Sequence, residues 1–376
     1  MIGLVLSGGG ARGAYELGAL EVLAPVLDEP PRIVIGTSAG ALDAAYVAAE
    51  AHRPLVEIAR AGAEAWAQVK FGDVAGPLLS PAELSRALLY GLELLGVPAP
   101  PVRSLLDAGP QGATIARLID FAQLARNVEQ GRLATAAVVA TAYATARSVV
   151  FHHGGASPPT DDSRGIDYIA TPLAVEHVRA SSAIQTVFPA VEVDGAWYGD
   201  GGTRLNTPLK PALRFGAERL VVIGLNSVAG RPRDQLTRRP DVFDGAALIA
   251  QALLADQLAH DVNTLATINQ IVNESRGAVT SHRRVPYMFV APADRLAIGR
   301  LASDVYRRHF GGARGLRRSR DIALLGRLLD AGRNPVHGEL LSYLFFAPEF
   351  IEPLTELGRA DARAWLAGGT WRHGDP

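Results

Sequence analysis

The chain has 376 residues, 37 basic and 38 acidic side chains and a formal charge of −1, a balance without the basic excess of a dedicated nucleic-acid binder. Hydrophobic residues make up 48% of it, enough for a large core and too many for a disordered chain. It has no cysteine, which excludes disulfides, thiolate-bound zinc and a thiol nucleophile.

Ile2–Leu6 reads as a short buried strand running into Ser7 and three glycines. Leu17, Leu20 and Leu23 then fall at helical spacing up to Pro25. Arg32–Ile35 reads as a second strand feeding Gly36, followed by a helix with Leu42, Ala45, Tyr46 and Ala49 on one face. This alternation predicts an α/β fold with a mostly parallel sheet. From Arg53 to Arg132 the pattern is helical, with a helix start at Ser80-Pro81-Ala82-Glu83 and a stiff loop over Gly96–Pro101. Ala136–Ala140 and Ser148–Phe151 read as strands, and Gly154–Gly165 as a longer polar loop. Val191–Val193 and Ala196–Tyr198 flank Asp194-Gly195, a two-residue hairpin signal. Arg219–Leu225 and Pro286–Val290 complete the strands. The remainder reads as helical, with Leu340, Leu341, Leu344 and Phe345 on a buried face and Tyr343–Phe346 apolar at every position. No stretch reaches the roughly 18 apolar residues of a membrane span. The segment Met1–Leu6 lacks the basic start of a signal peptide, so a cytoplasmic setting is expected.

Gly36-Thr37-Ser38-Ala39-Gly40 fits G-x-S-x-G between a strand and an Ala-rich helix. A serine on so tight a turn exposes its hydroxyl, and small neighbours let the backbone make the turn. The plainer reading is a serine at a helix cap. Gly8-Gly9-Gly10-Ala11-Arg12-Gly13 satisfies G-x-G-x-x-G. It fits a dinucleotide site, an oxyanion hole of glycine N–H groups with Arg12 adding charge, or a packing turn. The nucleotide reading expects an acid at the end of the second strand, where this chain has Gly36-Thr37-Ser38.

A nucleophilic serine needs a base. None of the nine histidines sits in a recognisable motif, and a nucleophile after only the second strand argues against an α/β-hydrolase triad. The alternative is a carboxylate. Tyr198-Gly199-Asp200-Gly201-Gly202 follows the hairpin, and a partly desolvated Asp200 beside a serine could act as base. A simple Asp-Gly turn is the competing reading, although Asp194-Gly195 already makes the hairpin turn.

Together the three motifs resemble the patatin-like phospholipases. Ala180-Ser181-Ser182-Ala183-Ile184, Phe188-Pro189 and Asn206-Thr207-Pro208 support the likeness, which extends over residues 2 to 212. Glu339–Leu344 is a weaker match to bacterial members. The resemblance implies a three-layer α/β/α fold with a mostly parallel central sheet and a helical C-terminal extension. It implies Ser38 as nucleophile and Asp200 as base, with no histidine. It further implies an elbow of Gly36, Thr37, Ala39 and Gly40, an acidic motif completed by Gly201 and Gly202, and an oxyanion hole around Gly8, Gly9, Gly10 and Gly13 assisted by Arg12. The expected substrate is a lipid or other acyl ester, with no cofactor, metal or nucleic acid. The expected division is a core over 2–212, a continuation of the α/β domain over 213–300 and a helical extension over 301–376. An acyltransferase using the same acyl-serine, or a nucleotide-binding module at Gly8–Gly13, are the alternatives.

Two further features are open. Arg307, Arg308, Arg314, Arg317, Arg318 and Arg320 form either a solvated face, which we favour, or a peripheral contact with an anionic membrane. His152-His153 and Asp161-Asp162 could be metal ligands, but neighbours on a strand face opposite ways and chelate poorly.

Overall fold

A computed structural model describes residues 1–80, 103–228, 239–254, 256–274 and 283–373, with isolated residues between 85 and 95. The expected helix start at Ser80–Glu83 (beyond Ser80 itself) and the loop at Gly96–Pro101 lie outside the described residues.

Among the described residues, nine strands form one sheet: β1 (Ile2–Leu6), β2 (Ile33–Thr37), β3 (Thr135–Ala142), β4 (Ser148–His153), β5 (Ile166–Ala170), β6 (Val191–Val193), β7 (Ala196–Asp200), β8 (Arg219–Ile223) and β9 (Tyr287–Val290). The order across it is β5-β4-β3-β2-β1-β8-β9, with the β6–β7 hairpin attached to β3. From β9 to β3 neighbouring strands are parallel, while β4 and β7 run antiparallel to β3. Every residue of β1, β2 and β3 is buried. Strands buried on both faces need helices on both sides, hence the three layers. The hairpin turns at Asp194 (φ 48°) and Gly195 (φ 78°), the two left-handed residues that its sequence demanded.

Strand β5 escapes the sequence reading. It is an edge strand with only Ile166 fully buried, so it lacks the apolar run that marks its neighbours. It pairs parallel to β4, reached by the polar connection 154–165.

Helices α1 (Gly13–Leu23) and α2 (Ala39–Glu50) follow β1 and β2, and α3 (Leu55–Gln68) packs against α1. The long helix Pro348–Ala367 lies along α1, and Tyr15 donates its hydroxyl to Asp361 across the contact (2.8 Å). Arg372 then pairs with Tyr287 at the β9 edge through two backbone hydrogen bonds. Tyr343–Phe346 is not part of the preceding helix, which ends at Ser342. It is a turn in which Phe345 is wholly buried between Phe310 and Phe350.

Candidate active site

The sheet brings Ser38 and Asp200 together by a change of partner along β3. Thr37, the last residue of β2, pairs with Val139; the next residue of β3, Ala140, pairs with Asp200, the last residue of the antiparallel β7. Two strand ends therefore meet head to head on one edge of β3. Ser38 leaves β2 with φ 55° and ψ −117° before α2 begins at Ala39. A left-handed φ is costly for a serine, and the fold imposes it. A Cβ on Gly36 would lie 1.9 Å from the Gly40 carbonyl oxygen, so the elbow closes only around glycine. Thr37 secures the turn by donating Oγ1–H to the Leu205 carbonyl (2.9 Å), and Ala39 is buried beneath it.

Ser38 Oγ donates to Asp200 Oδ2 at 2.6 Å, while the Gly202 N–H donates to Asp200 Oδ1 at 2.7 Å. The Asp200 backbone is fixed as firmly. Its N–H donates to Ala183 O (2.8 Å), and its carbonyl accepts from Thr141 Oγ1 (2.9 Å) and Gln185 Nε2 (3.0 Å). Gly201 donates its N–H to Ser181 O, and the Ser181 hydroxyl in turn receives the Ser38 N–H (2.9 Å). Burial pushes the Asp200 carboxyl up to about 6, against the lowering effect of the Ser38 and Gly202 hydrogen bonds. At neutral pH it is an ionised carboxylate more basic than an exposed one, bonded to the serine proton.

The glycine loop lies against this pair: a Cβ on Gly8 would sit 3.1 Å from Ser38 Cβ. Its N–H groups are not equivalent. Gly8 donates to Asn206 O, Ala11 to Tyr343 O, Arg12 to Gly9 O and Gly13 to Gly10 O. Among the described residues, the N–H groups of Gly9 and Gly10 have no protein acceptor. Gly8 and Gly13 therefore differ from the sequence expectation, since their donors are occupied. Gly13 instead makes room, because a Cβ there would come 2.5 Å from Trp66 Cζ2. Gly10 adopts φ +61°, and a Cβ on it would strike the Tyr343 carbonyl oxygen at 2.2 Å.

Arg12 is also placed differently from its expected role. The side chain is wholly buried, with Nη1 on Glu339 Oε1 (2.9 Å), Nε on Ser342 Oγ (2.8 Å) and Nη2 on Glu339 O (2.7 Å). It also contacts Asn226 Oδ1 (3.4 Å), and its guanidinium stacks on Tyr343, 3.8 Å from the ring centroid. All of these partners except Asn226 lie in the C-terminal region, so Arg12 fastens that region to the glycine loop. The same contact decides against a nucleotide at Gly8–Gly13. The position over the helix start where a pyrophosphate would bind holds the Tyr343 carbonyl, hydrogen-bonded to Ala11 N–H (2.9 Å).

A cavity opens beside Ser38 and Gly10, lined almost wholly by apolar groups, among them Leu17, Leu42, Trp66, Ile115, Phe188 and Phe346. Trp66 and Phe346 stack across it with ring centroids 6.3 Å apart.

A sequence profile of the patatin-like phospholipases matches residues 4–213, more than half of the chain. The chain belongs to the patatin-like phospholipase family. That is a family of lipid acyl hydrolases, and its fold is the mixed, mostly parallel sheet flanked by helices described above. No curated protein matches the chain significantly. Among solved structures, VipD from Legionella pneumophila aligns at 15% identity with a TM-score of 0.30, over 77% of this chain and 61% of that one. The chain thus spans less than two thirds of that protein's length.

The patatin segment ends near residue 213, yet Tyr343, Leu344 and Phe346 line the cavity. Sequence reading singled out Tyr343–Phe346 and Ser181 without giving them a place in the site, and it passed over Gln185 and the buried acids Glu16 and Asp43. Glu16 and Asp43 carry a legible signal: each is the lone charge in a run of Ala, Gly, Leu and Tyr.

Of the residues first considered as metal ligands, His152 and Asp161 have protein partners. His152 is hydrogen-bonded to Gly154 O and Ser157 Oγ, and Asp161 pairs with Lys210 and Ser163. Asp241, Asp244 and His337 could offer three ligand atoms. Asp241 and Asp244 are, however, brought together as a reciprocal cap of the helix Val242–Leu254, each accepting the other's N–H. In the arginine cluster, Arg307 pairs with Asp304 and Arg318 with Glu349. Among the described residues, no helix is long and apolar enough to cross a membrane.

Proposed function

We propose that the protein hydrolyses acyl esters of lipids through a Ser38–Asp200 dyad. The observation that carries this reading is the 2.6 Å hydrogen bond from Ser38 Oγ, on its left-handed elbow, to a buried Asp200 at the mouth of an apolar cavity. Ser38 Oγ attacks the ester carbonyl as its proton passes to Asp200 Oδ2. The Gly9 and Gly10 N–H groups receive the developing oxyanion, a role whose loss costs a factor of about 10²–10³. The tetrahedral intermediate collapses, the leaving alcohol takes the proton from Asp200, and the acyl group stays on Ser38. Water then attacks the acyl-serine as Asp200 takes its proton, and the carboxylic acid leaves as that proton returns to Ser38 Oγ. The acyl chain lies in the cavity between Leu17, Trp66 and Phe346.

The test is release of fatty acid from phosphatidylcholine vesicles and from p-nitrophenyl esters by the wild-type protein and Ser38→Ala. Turnover by the wild type alone is expected; equal turnover by both contradicts the dyad. Transfer to an added alcohol in preference to water would identify an acyltransferase with the same acyl-serine.

A further inference from the structure

We propose that Glu16 and Asp43 share one proton in the wall of the acyl cavity, and that the cavity accepts a long acyl chain well only while that proton is present. The inference rests on the acyl-ester reading above and concerns residues outside the dyad.

Glu16 on α1 and Asp43 on α2 are 0% and 1% exposed. Each commits one oxygen to a fixed donor: Glu16 Oε1 accepts the Ser7 N–H (2.6 Å), and Asp43 Oδ1 accepts the Trp66 indole N–H (2.7 Å). The other two oxygens, Glu16 Oε2 and Asp43 Oδ2, are buried and receive no hydrogen bond from any other described group. Asp43 Oδ2 reaches α1 one turn before Glu16, 3.0 Å from where a Cβ on Gly13 would stand, and its charge helps push the Glu16 carboxyl up. A carboxylate offers only acceptors, so a link between the two needs a proton between the oxygens. Two bare charges held there would be strongly unfavourable. No lysine or arginine among the described residues forms an ion pair with either acid. The ionisable neighbours are engaged elsewhere or remain neutral. On α1, Tyr15 donates to Asp361; on α2, Tyr46 is raised by burial; Arg12 is held by Glu339, and Asp200 by Ser38. Trp66 of α3 contributes only its N–H.

Asp43 lines the same cavity as Leu17, Leu42, Trp66 and Ser38. The charge state of the pair is therefore the charge state of the wall. With the proton in place the pair carries one negative charge, spread over the two carboxyls and held by the Ser7 and Trp66 N–H groups, and the wall tolerates a hydrocarbon chain. Without it, a second, uncompensated negative charge lies buried just behind the lining and favours water in place of the chain. Burial raises both groups, Asp43 to about 8, so the change falls just above neutrality.

The experiment measures KM and kcat for p-nitrophenyl palmitate and butyrate across the alkaline range, in the wild type, Asp43→Asn and Glu16→Gln. An asparagine keeps an acceptor for Trp66 and supplies a donor to Glu16, so the link survives without a titratable proton. The expected wild-type result is a palmitate KM that rises by up to about tenfold per pH unit above about pH 8, with a smaller change for butyrate. In Asp43→Asn the alkaline rise is absent, whatever the absolute KM. A wild-type KM that stays flat, or the same rise in Asp43→Asn and Glu16→Gln, overturns the proposal. If the wild type hydrolyses neither ester at any pH, the acyl-ester reading fails, and the cavity role with it. The melting temperature then decides the shared proton separately: a loss of Tm through the same pH range that is absent in Asp43→Asn supports it, and parallel curves refute it.

Discussion

In the proposed dyad, Ser38 and Asp200 do opposing work on one proton. The elbow holds the hydroxyl in place, and the buried carboxylate pulls on its hydrogen from 2.6 Å away. Because burial raises Asp200 to about 6, the proposed base is lost as pH falls through that value. The acidic limb of kcat/KM should therefore drop about tenfold per pH unit below about 6, as a pH–rate profile would show. Asp200→Asn keeps the shape and removes the base; kcat should fall by about 10²–10⁴-fold with the melting temperature preserved. A variant within a few-fold of wild type would exclude Asp200 as base. Gly10→Ala addresses the loop: its Cβ would meet the Tyr343 carbonyl oxygen at 2.2 Å on a backbone of φ +61°. It should lose activity by displacing the Gly9–Gly10 N–H groups, seen as a fall in kcat.

At the scale of elements, the glycine loop and the C-terminal helix Pro335–Ser342 are held together by the buried Arg12. Removing one side of a buried ion pair costs about 3–5 kcal/mol, because the partner is left charged or neutralised without its donors. Arg12→Met should lose about that much in urea unfolding, and a loss below about 1 kcal/mol would show that the contact contributes little. Glu339→Gln should be milder, since Ser342, Asn226 and the Glu339 carbonyl still receive the guanidinium. This is also where the sequence was hardest to read. Strands β1, β2, β3 and β8 announce themselves as short apolar runs, and the Asp194-Gly195 turn by its residue types. The three motifs singled out Ser38 and Asp200 before any geometry, and the fold places the two side chains in contact. No local pattern could show that Arg12 is sequestered by residues 330 positions away in sequence, because that depends on how the chain end returns to α1. The same long-range return makes Tyr343–Phe346 a turn in the cavity wall.

Across the whole molecule, the C-terminal region is part of the same core as the patatin segment. Phe310, Phe345 and Phe350 pack together, the helix Pro348–Ala367 lies against α1, and Arg372 closes on β9. A chain cut after residue 334 should not yield a smaller active core; it should be insoluble or lack a cooperative thermal transition. A soluble, active truncation would contradict this integration. The buried acids give the whole fold a pH signature. Glu16, Asp43 and Asp200 all have raised pKa values when folded, with burial the leading cause. Between their unfolded and folded values the native state binds more protons, so stability falls as pH rises through that window. The melting temperature should be higher near pH 6 than near pH 9 on this account. A rise over that interval would mean that these carboxyls are not buried as described.

The most direct test of the central claim is covalent labelling with a fluorophosphonate, with the modified peptide located by mass spectrometry in the wild type and Asp200→Asn. The account predicts an adduct on Ser38 that is lost or strongly slowed in Asp200→Asn. An adduct on another serine, or equal labelling of Ser38 in both proteins, would contradict an Asp200-activated nucleophile.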